Sequence, residues 1–132
     1  MNQHRFQIAL APDLALVAAM RREVRRHLAH WRLPHLVSDV ELVASELVTN
    51  ALTHGPGESV TVAVEYADGE VLVAVDDHSP ALPVARTAGD GDLGGRGLCI
   101  VQALARTCGS KRTGTGKTVW AVLAADANPP GG

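Results

Sequence analysis

Residues Glu41 to Gly55 read ELVASELVTNALTHG, and this stretch decides the fold. On an α-helix, residues three and four apart are neighbours, so Glu46, Asn50 and Thr53 fall on one stripe. A wider apolar stripe runs beside it, formed by Val37, Val40, Ala44, Leu47, Val48 and Ala51. The segment therefore predicts a helix with a carboxylate and a carboxamide one turn apart at the edge of a buried face. Polar groups in such a place need partners, and a metal ion with a phosphate-bearing ligand would be such a partner.

The composition limits the class of protein. The chain has 132 residues, which suits one domain, and we predict a single domain over residues 1–126 with a flexible tail at 127–132. Hydrophobic residues make up 46%, enough for a packed core, and aromatic residues only 3%, so the core must be aliphatic. The formal net charge of −2 shows no basic bias and argues against a dedicated nucleic-acid-binding protein.

The cysteines and the apolar runs bear on the compartment. Cys99 and Cys108 do not form a CxxC pair, and nothing else has the spacing of a zinc site. The segment before Pro12 lacks the apolar region of a signal peptide, and no apolar run approaches the ~20 residues that a membrane span needs. We therefore expect a reduced, cytoplasmic protein that does not enter a membrane.

Apolar periodicity predicts the remaining elements. In chain order they are a strand at 5–11, a helix at 14–31, the central helix to about residue 54, strands at 59–66 and 70–77, a helix at 97–107, and a hairpin at 110–113 and 117–123. Ser38 with Glu41 offers a capping box for the central helix. Asp68-Gly69 is a hairpin-turn signal, and Gly109 is a C-cap for the helix at 97–107. Strands paired as hairpins, with helices on one face, suggest an α+β two-layer sandwich.

A basic cluster covers the polar side of the first predicted helix. It contains Arg21, Arg22, Arg25 and Arg26, with Glu23 among them. Such a cluster indicates either a contact with a partner or a phosphate, or a solvated helix face, and we favour the solvated face.

The strand at 70–77 ends on two aspartates. Side chains alternate along a strand, so Asp77 continues the series Val71, Val73 and Val75 and points to their side, whereas Asp76 points the other way. A carboxylate at this position can accept a hydrogen bond from the exocyclic amine of a purine. The other interpretation is an Asx-turn that begins the following loop.

Residues 78–95 lose periodicity and form a long predicted loop, which in a compact domain is usually functional or disordered. Gly94-Gly95-Arg96-Gly97 then opens a helix. Free N–H groups at a helix N-terminus favour a phosphate, although the same glycines would suit a flexible hinge. No Walker A motif occurs. Gly116-Lys117-Thr118 opens a strand and could offer a hydroxyl or an ammonium group to a phosphate.

Four short motifs stand in an order that resembles a known family. They are Glu46-x-x-x-Asn50, Asp77-x-Ser79, Gly95-Arg96-Gly97-Leu98 and Gly116-Lys117-Thr118. They resemble the N box, the two glycine boxes and the last conserved strand of the GHKL ATPases, the group of Hsp90, gyrase B, MutL and histidine-kinase catalytic domains. The compact length and the sequence GRGL…GKTVWAVL look most similar to the stand-alone anti-sigma-factor serine kinases and their actinobacterial relatives.

This resemblance implies the Bergerat ATP-binding fold, with a mixed, mainly antiparallel sheet, and binding of ATP with Mg²⁺. Asn50 would hold the magnesium, Glu46 would be the catalytic base, and Asp77 would read adenine. Gly95 and Gly97 would wrap the phosphates under the intervening loop. The other nucleotide-binding positions that the resemblance implies are Ser79, Arg96, Leu98 and Thr118.

The implied function is that of an ATP-binding anti-sigma factor with protein serine kinase activity. Its partners would be a sigma factor and an anti-anti-sigma substrate, and the stand-alone relatives suggest a homodimer. Ser79 and Pro80 stand where the family often has glycine, which motivates an alternative: an ATP-binding interaction module with little or no catalysis. A structural protein that binds no nucleotide is the third hypothesis.

Overall fold

A computed structural model describes residues 4–10, 15–54, 59–77, 101, 103–112 and 116–125. Its helices are α1 (Ala15–His30) and α2 (Val37–His54), joined through a 3-10 turn at Pro34–Leu36. Its strands are β1 (His4–Leu10), β2 (Val60–Ala67), β3 (Glu70–Asp77), β4 (Thr107–Arg112) and β5 (Lys117–Ala124). Neither of these two helices has the length and apolar character of a membrane span.

The described strands form one antiparallel sheet in the order β1-β2-β3-β5-β4. α2 packs on β3, β2 and β5, while α1 packs on α2 and β1. Because the buried side chains of these strands point to one side, the helices share that side of the sheet, which we call the inner face. The predicted α+β two-layer sandwich is confirmed.

The core is aliphatic, as the composition predicts, and it lies between α2 and the inner face. Alternate valines of β2 and β3 are buried there, namely Val60, Val62, Val64, Val71, Val73 and Val75. α2 contributes most residues of its apolar stripe together with Val43, and its most deeply buried residues are Val40, Val43, Ala44 and Val48. Hydrophobic burial of this kind stabilises the domain by roughly 25 cal/mol for each Å² of apolar surface.

The hairpin between β2 and β3 has the predicted turn. Ala67 pairs with Glu70, so the loop contains Asp68 and Gly69 alone. Both residues have positive φ, 51° and 77°, which is the requirement of a type I′ turn and the reason that Asp-Gly suits it.

The helix predicted over residues 97–107 ends earlier than expected. Val101 and Leu104 are helical, but the Arg106 amide already donates to the Val122 carbonyl, and Thr107 begins β4. The prediction of Gly109 as a helix cap is therefore wrong, because Gly109 is a strand residue opposite Trp120. A Cβ atom at position 109 would lie 2.8 Å from Cζ2 of Trp120, so the glycine leaves room for the indole ring.

The predicted capping box is also wrong. α2 begins at Val37, directly after the 3-10 turn, so Ser38 lies inside the helix. Glu41 instead ties the helices together: Arg25 Nε donates to Glu41 Oε2 at 3.0 Å, and Arg21 Nε lies 3.7 Å from Oε1. The Glu41 side chain is 10% exposed, and a carboxylate that is buried to this extent needs such partners. The predicted solvated face is confirmed, since the Arg21 and Arg25 side chains are 47% and 60% exposed, and this face also contacts α2 through Glu41.

Rings attach the edge strand β1 to α1. Phe6 stacks on His27 with ring centroids 4.1 Å apart, and His4 stacks on Trp31 and on Tyr66 at 5.4 and 5.9 Å. These contacts bury Trp31 to 8% exposure and close the end of the core farthest from β4.

Candidate functional site

A shallow cavity opens where the C-terminal half of α2 faces the adjoining ends of β3 and β5. Its lining combines an apolar floor with polar side chains, and consists of Leu47, Asn50, Ala51, Val75, Asp77, Lys117 and Val119. Small-molecule sites have this character, since most of the lining is apolar and a few placed polar groups orient the ligand.

α2 brings Asn50 to the cavity because the helix packs its apolar stripe on the sheet. Leu47 and Ala51 flank Asn50 on that stripe and are buried, at 3% and 6% exposure. Asn50 is half-buried at the edge of the stripe, as the helical spacing predicts. Glu46 is half-buried one turn before it but is not among the lining residues.

Asp77 enters the cavity from the end of β3. It is 6% exposed and lies on the same side as the buried valines 71, 73 and 75, so the prediction from strand alternation is confirmed. An ionised carboxylate is a hydrogen-bond acceptor only. A carboxylate in this cavity could therefore accept a hydrogen bond from a ligand group that donates, such as an amine.

Lys117 is also a lining residue, although the sequence analysis offered its ammonium group only as a possible phosphate contact. It is the register partner of Asp77, and its neighbour Thr118 is the partner of Asp76. Lys117 therefore lies on the inner face with Asp77. The alternation that located Asp77 would have located Lys117 as well, because Lys117 has the parity of Val119 and of the buried residues further along β5.

Thr118 points to the opposite side of the sheet, the outer face. Its hydroxyl donates a hydrogen bond to the Asp76 carboxylate, and it is not among the lining residues. The structure thus brings Asn50 and Asp77 together, as expected, but does not bring Thr118 to them. The expected contact of Thr118 with a nucleotide stays a prediction.

The other predicted site residues lie outside the described part of the chain. They are Ser79, Gly95, Arg96, Gly97 and Leu98. Their roles in binding a nucleotide remain predictions.

The described residues hold no cluster of three or more His, Cys, Asp or Glu side chains that could bind a metal ion. Among the described lining residues, Asn50 would offer a magnesium ion one side-chain oxygen. That fits its usual chemistry, in which Mg²⁺ keeps several waters and shares the phosphate oxygens of a substrate. A single side-chain oxygen from Asn50 suits such an ion.

The sequence model of the family described as histidine kinase-like ATPase domain matches residues 10–123. This range contains α1, α2, β2, β3, β4, all but the last residue of β5, and every lining residue of the cavity. A comparison with curated proteins finds no match. Because the family match extends over most of the chain, this protein belongs to the histidine kinase-like ATPase domain family, and its ligand is ATP.

Proposed function

We propose that this ATP-binding protein is a regulator of the anti-sigma-factor type, which transfers the γ-phosphate of ATP to a serine of a protein partner. The observation that carries the proposal is the meeting of Asn50, from α2, and Asp77, from β3, in one cavity with an apolar floor. Residues 27 positions apart in the chain are brought to the same small volume, and together they offer a carboxamide oxygen and a carboxylate.

Each residue then has a task that matches its chemistry. Asp77 accepts a hydrogen bond from the exocyclic amine of adenine. Asn50 supplies an oxygen to the magnesium ion that accompanies the phosphates. When bound, that ion neutralises charge on the phosphate groups.

Glu46 is proposed as the general base. It lies one helical turn before Asn50, so a serine hydroxyl beside the bound phosphates would be within its reach. The serine oxygen forms a bond to the γ-phosphorus, and the bond from that phosphorus to the β–γ bridging oxygen breaks. The hydroxyl proton passes to the Glu46 carboxylate, and ADP leaves.

The test uses the full chain and radiolabelled Mg·ATP, with partner proteins captured from the native cell extract as phosphate acceptors. Glu46→Gln should reduce transfer by at least about a hundredfold, the usual contribution of a general base, and leave the affinity for ATP within about threefold. Asp39→Asn is the matched control, since Asp39 lies in the first turn of the same helix. Transfer that survives Glu46→Gln would remove Glu46 from the catalytic role.

A second function is favoured by Ser79 and Pro80, which stand where the family often has glycine. In this version ATP stabilises one state of the protein and so one binding surface, by its differential affinity for the two states. Binding of ATP by calorimetry, with no label transferred to any captured partner, would support it. Rapid turnover with a partner would exclude it.

A further inference from the structure

Lys117 lines the cavity beside Asp77, and the function proposed above gives it no task. The two residues are directly opposite each other in the β3–β5 pairing. Opposite residues on one face of an antiparallel sheet have Cβ atoms about 4.5–5.5 Å apart. Lys117 is half-buried, so its ammonium group and the Asp77 carboxylate serve the same end of the cavity.

The lining around this pair suits a base better than a phosphate chain. The floor is formed by Leu47, Ala51, Val75 and Val119. These side chains offer no hydrogen-bond donors, which a triphosphate requires, but they offer an apolar contact for a heteroaromatic ring. An apolar floor next to Asp77 and Lys117 therefore favours a base over the phosphates beside this pair.

We propose that Lys117 reads the adenine base jointly with Asp77, by donating a hydrogen bond to N1 while Asp77 accepts one from the N6 amine. This inference rests on the proposed binding of ATP in this cavity. A carboxylate only accepts and an ammonium group only donates. Adenine presents a donor, N6–H, next to an acceptor, N1, on its Watson–Crick edge, which is the edge that proteins read when a base is unpaired.

Two other tasks for Lys117 give different results in the same experiment. Lys117 would contact the phosphates if the nucleotide lay the other way round in the cavity. It would only neutralise Asp77 if the ammonium group made no contact with the ligand. Neither task involves N1 of adenine.

The experiment compares ATP, 1-deaza-ATP and adenosine by calorimetric titration of the full chain and of Lys117→Met. In 1-deaza-ATP a C–H group replaces N1. We expect the unsubstituted chain to bind 1-deaza-ATP at least about tenfold more weakly than ATP, the usual effect of losing one charged hydrogen bond. Lys117→Met should bind ATP and adenosine roughly tenfold more weakly than the unsubstituted chain, and should no longer distinguish ATP from 1-deaza-ATP.

Lys111→Met is the matched control, because Lys111 is an exposed residue of β4 opposite Thr118, and it should change no affinity. Lys117→Gln keeps a hydrogen-bond donor, so it should bind ATP more tightly than Lys117→Met does. It also replaces Lys117→Met in the experiment if the methionine variant is poorly folded. The comparison of ATP with 1-deaza-ATP on the unsubstituted chain tests the contact with N1 even if both variants are poorly folded.

The outcomes separate this inference from the proposed function. If the unsubstituted chain binds ATP and 1-deaza-ATP equally, the role of Lys117 at N1 is wrong and ATP binding stands. If Lys117→Met weakens ATP but not adenosine, Lys117 meets the phosphates and the inference is overturned. If the unsubstituted chain binds no ATP, the proposed function fails and the inference fails with it.

Discussion

Two adjacent cross-strand pairs at the same end of the sheet have opposite surroundings. Asp76 and Thr118 are partners on the outer face, where the threonine hydroxyl donates to the carboxylate. Asp77 and Lys117 are partners one position further along, on the inner face, where both line the cavity. The two pairs show that one step along a strand separates a side chain that joins strands from a side chain that lines the cavity.

The largest expected effect compares the two aspartates. Asp77→Asn should weaken ATP binding by about a hundredfold, because a hydrogen bond to a charged acceptor contributes about 1.5–3 kcal/mol. Asp76→Asn, the same change one residue away, should alter the affinity by less than about threefold. Calorimetric titration of both variants checks this, and equal losses would show that the two faces do not differ in function.

A substitution that disturbs packing on the outer face should lower the stability of the protein and leave ATP binding unaffected. Gly109→Ala places a Cβ atom 2.8 Å from Cζ2 of Trp120, so we expect the free energy of unfolding to fall by about 1–3 kcal/mol, as overpacking usually causes. Urea unfolding followed by tryptophan fluorescence measures the change, with Ser110→Ala as the control on the same strand. Unchanged stability, with unchanged fluorescence, would mean that the indole does not lie over Gly109.

A smaller effect is expected from the hydrogen bond on the outer face. Thr118→Val removes the hydroxyl that donates to Asp76, and should lower the free energy of unfolding by about 1 kcal/mol while leaving the affinity for ATP within about twofold. Thr107→Val, on the exposed start of β4, is the matched control. A loss of ATP binding that exceeds the loss for Lys117→Met would return Thr118 to the nucleotide site.

The smallest effect is expected at Glu23, which lies on the exposed side of α1, far from both cross-strand pairs. The hydrogen bond from Arg26, at 2.8 Å, lowers the pKa of Glu23 from its usual 4.5. A lowered pKa in the folded state adds stability above pH 4.5, and that stability is lost as the pH falls through the folded-state value. Arg26→Gln should therefore raise the pKa of Glu23. It should also reduce the change of the free energy of unfolding with pH that comes from Glu23.

Titration of the Glu23 carboxyl carbon by NMR measures that change. Arg22→Gln is the control, because Arg22 acts on Glu23 only through a weaker charge interaction. A shift in Arg22→Gln as large as the shift in Arg26→Gln would contradict the assignment to the hydrogen bond.

Local patterns were sufficient for the features that depend on neighbours in the chain. The spacing of Glu46 and Asn50 follows from helical geometry, the turn at Asp68-Gly69 from its required φ values, and the inward direction of Asp77 from strand alternation. The two-layer fold followed because these elements leave one apolar face each, which must be covered.

The features that were missed depend on contacts between distant parts of the chain. The start of β4 at Thr107 is determined by pairing with β5, beginning with the Arg106 amide on the Val122 carbonyl, and apolar spacing gives no sign of that bond. Glu41 looked like a capping residue because its arginine partners are on another helix. The motif Gly116-Lys117-Thr118 offered both a hydroxyl and an ammonium group to the site, and only the β3–β5 register shows that Lys117 lies on the inner face and Thr118 on the outer face.

The most direct test of the account is an NMR titration of the methyl-labelled full chain with Mg·ATP. If ATP occupies the cavity on the inner face, the methyl signals of Leu47, Val75 and Val119 should shift strongly, while those of Leu72 and Val122, on the outer face, should change little. Shifts confined to Leu72 and Val122, or no shifts at saturating ATP, would contradict the account.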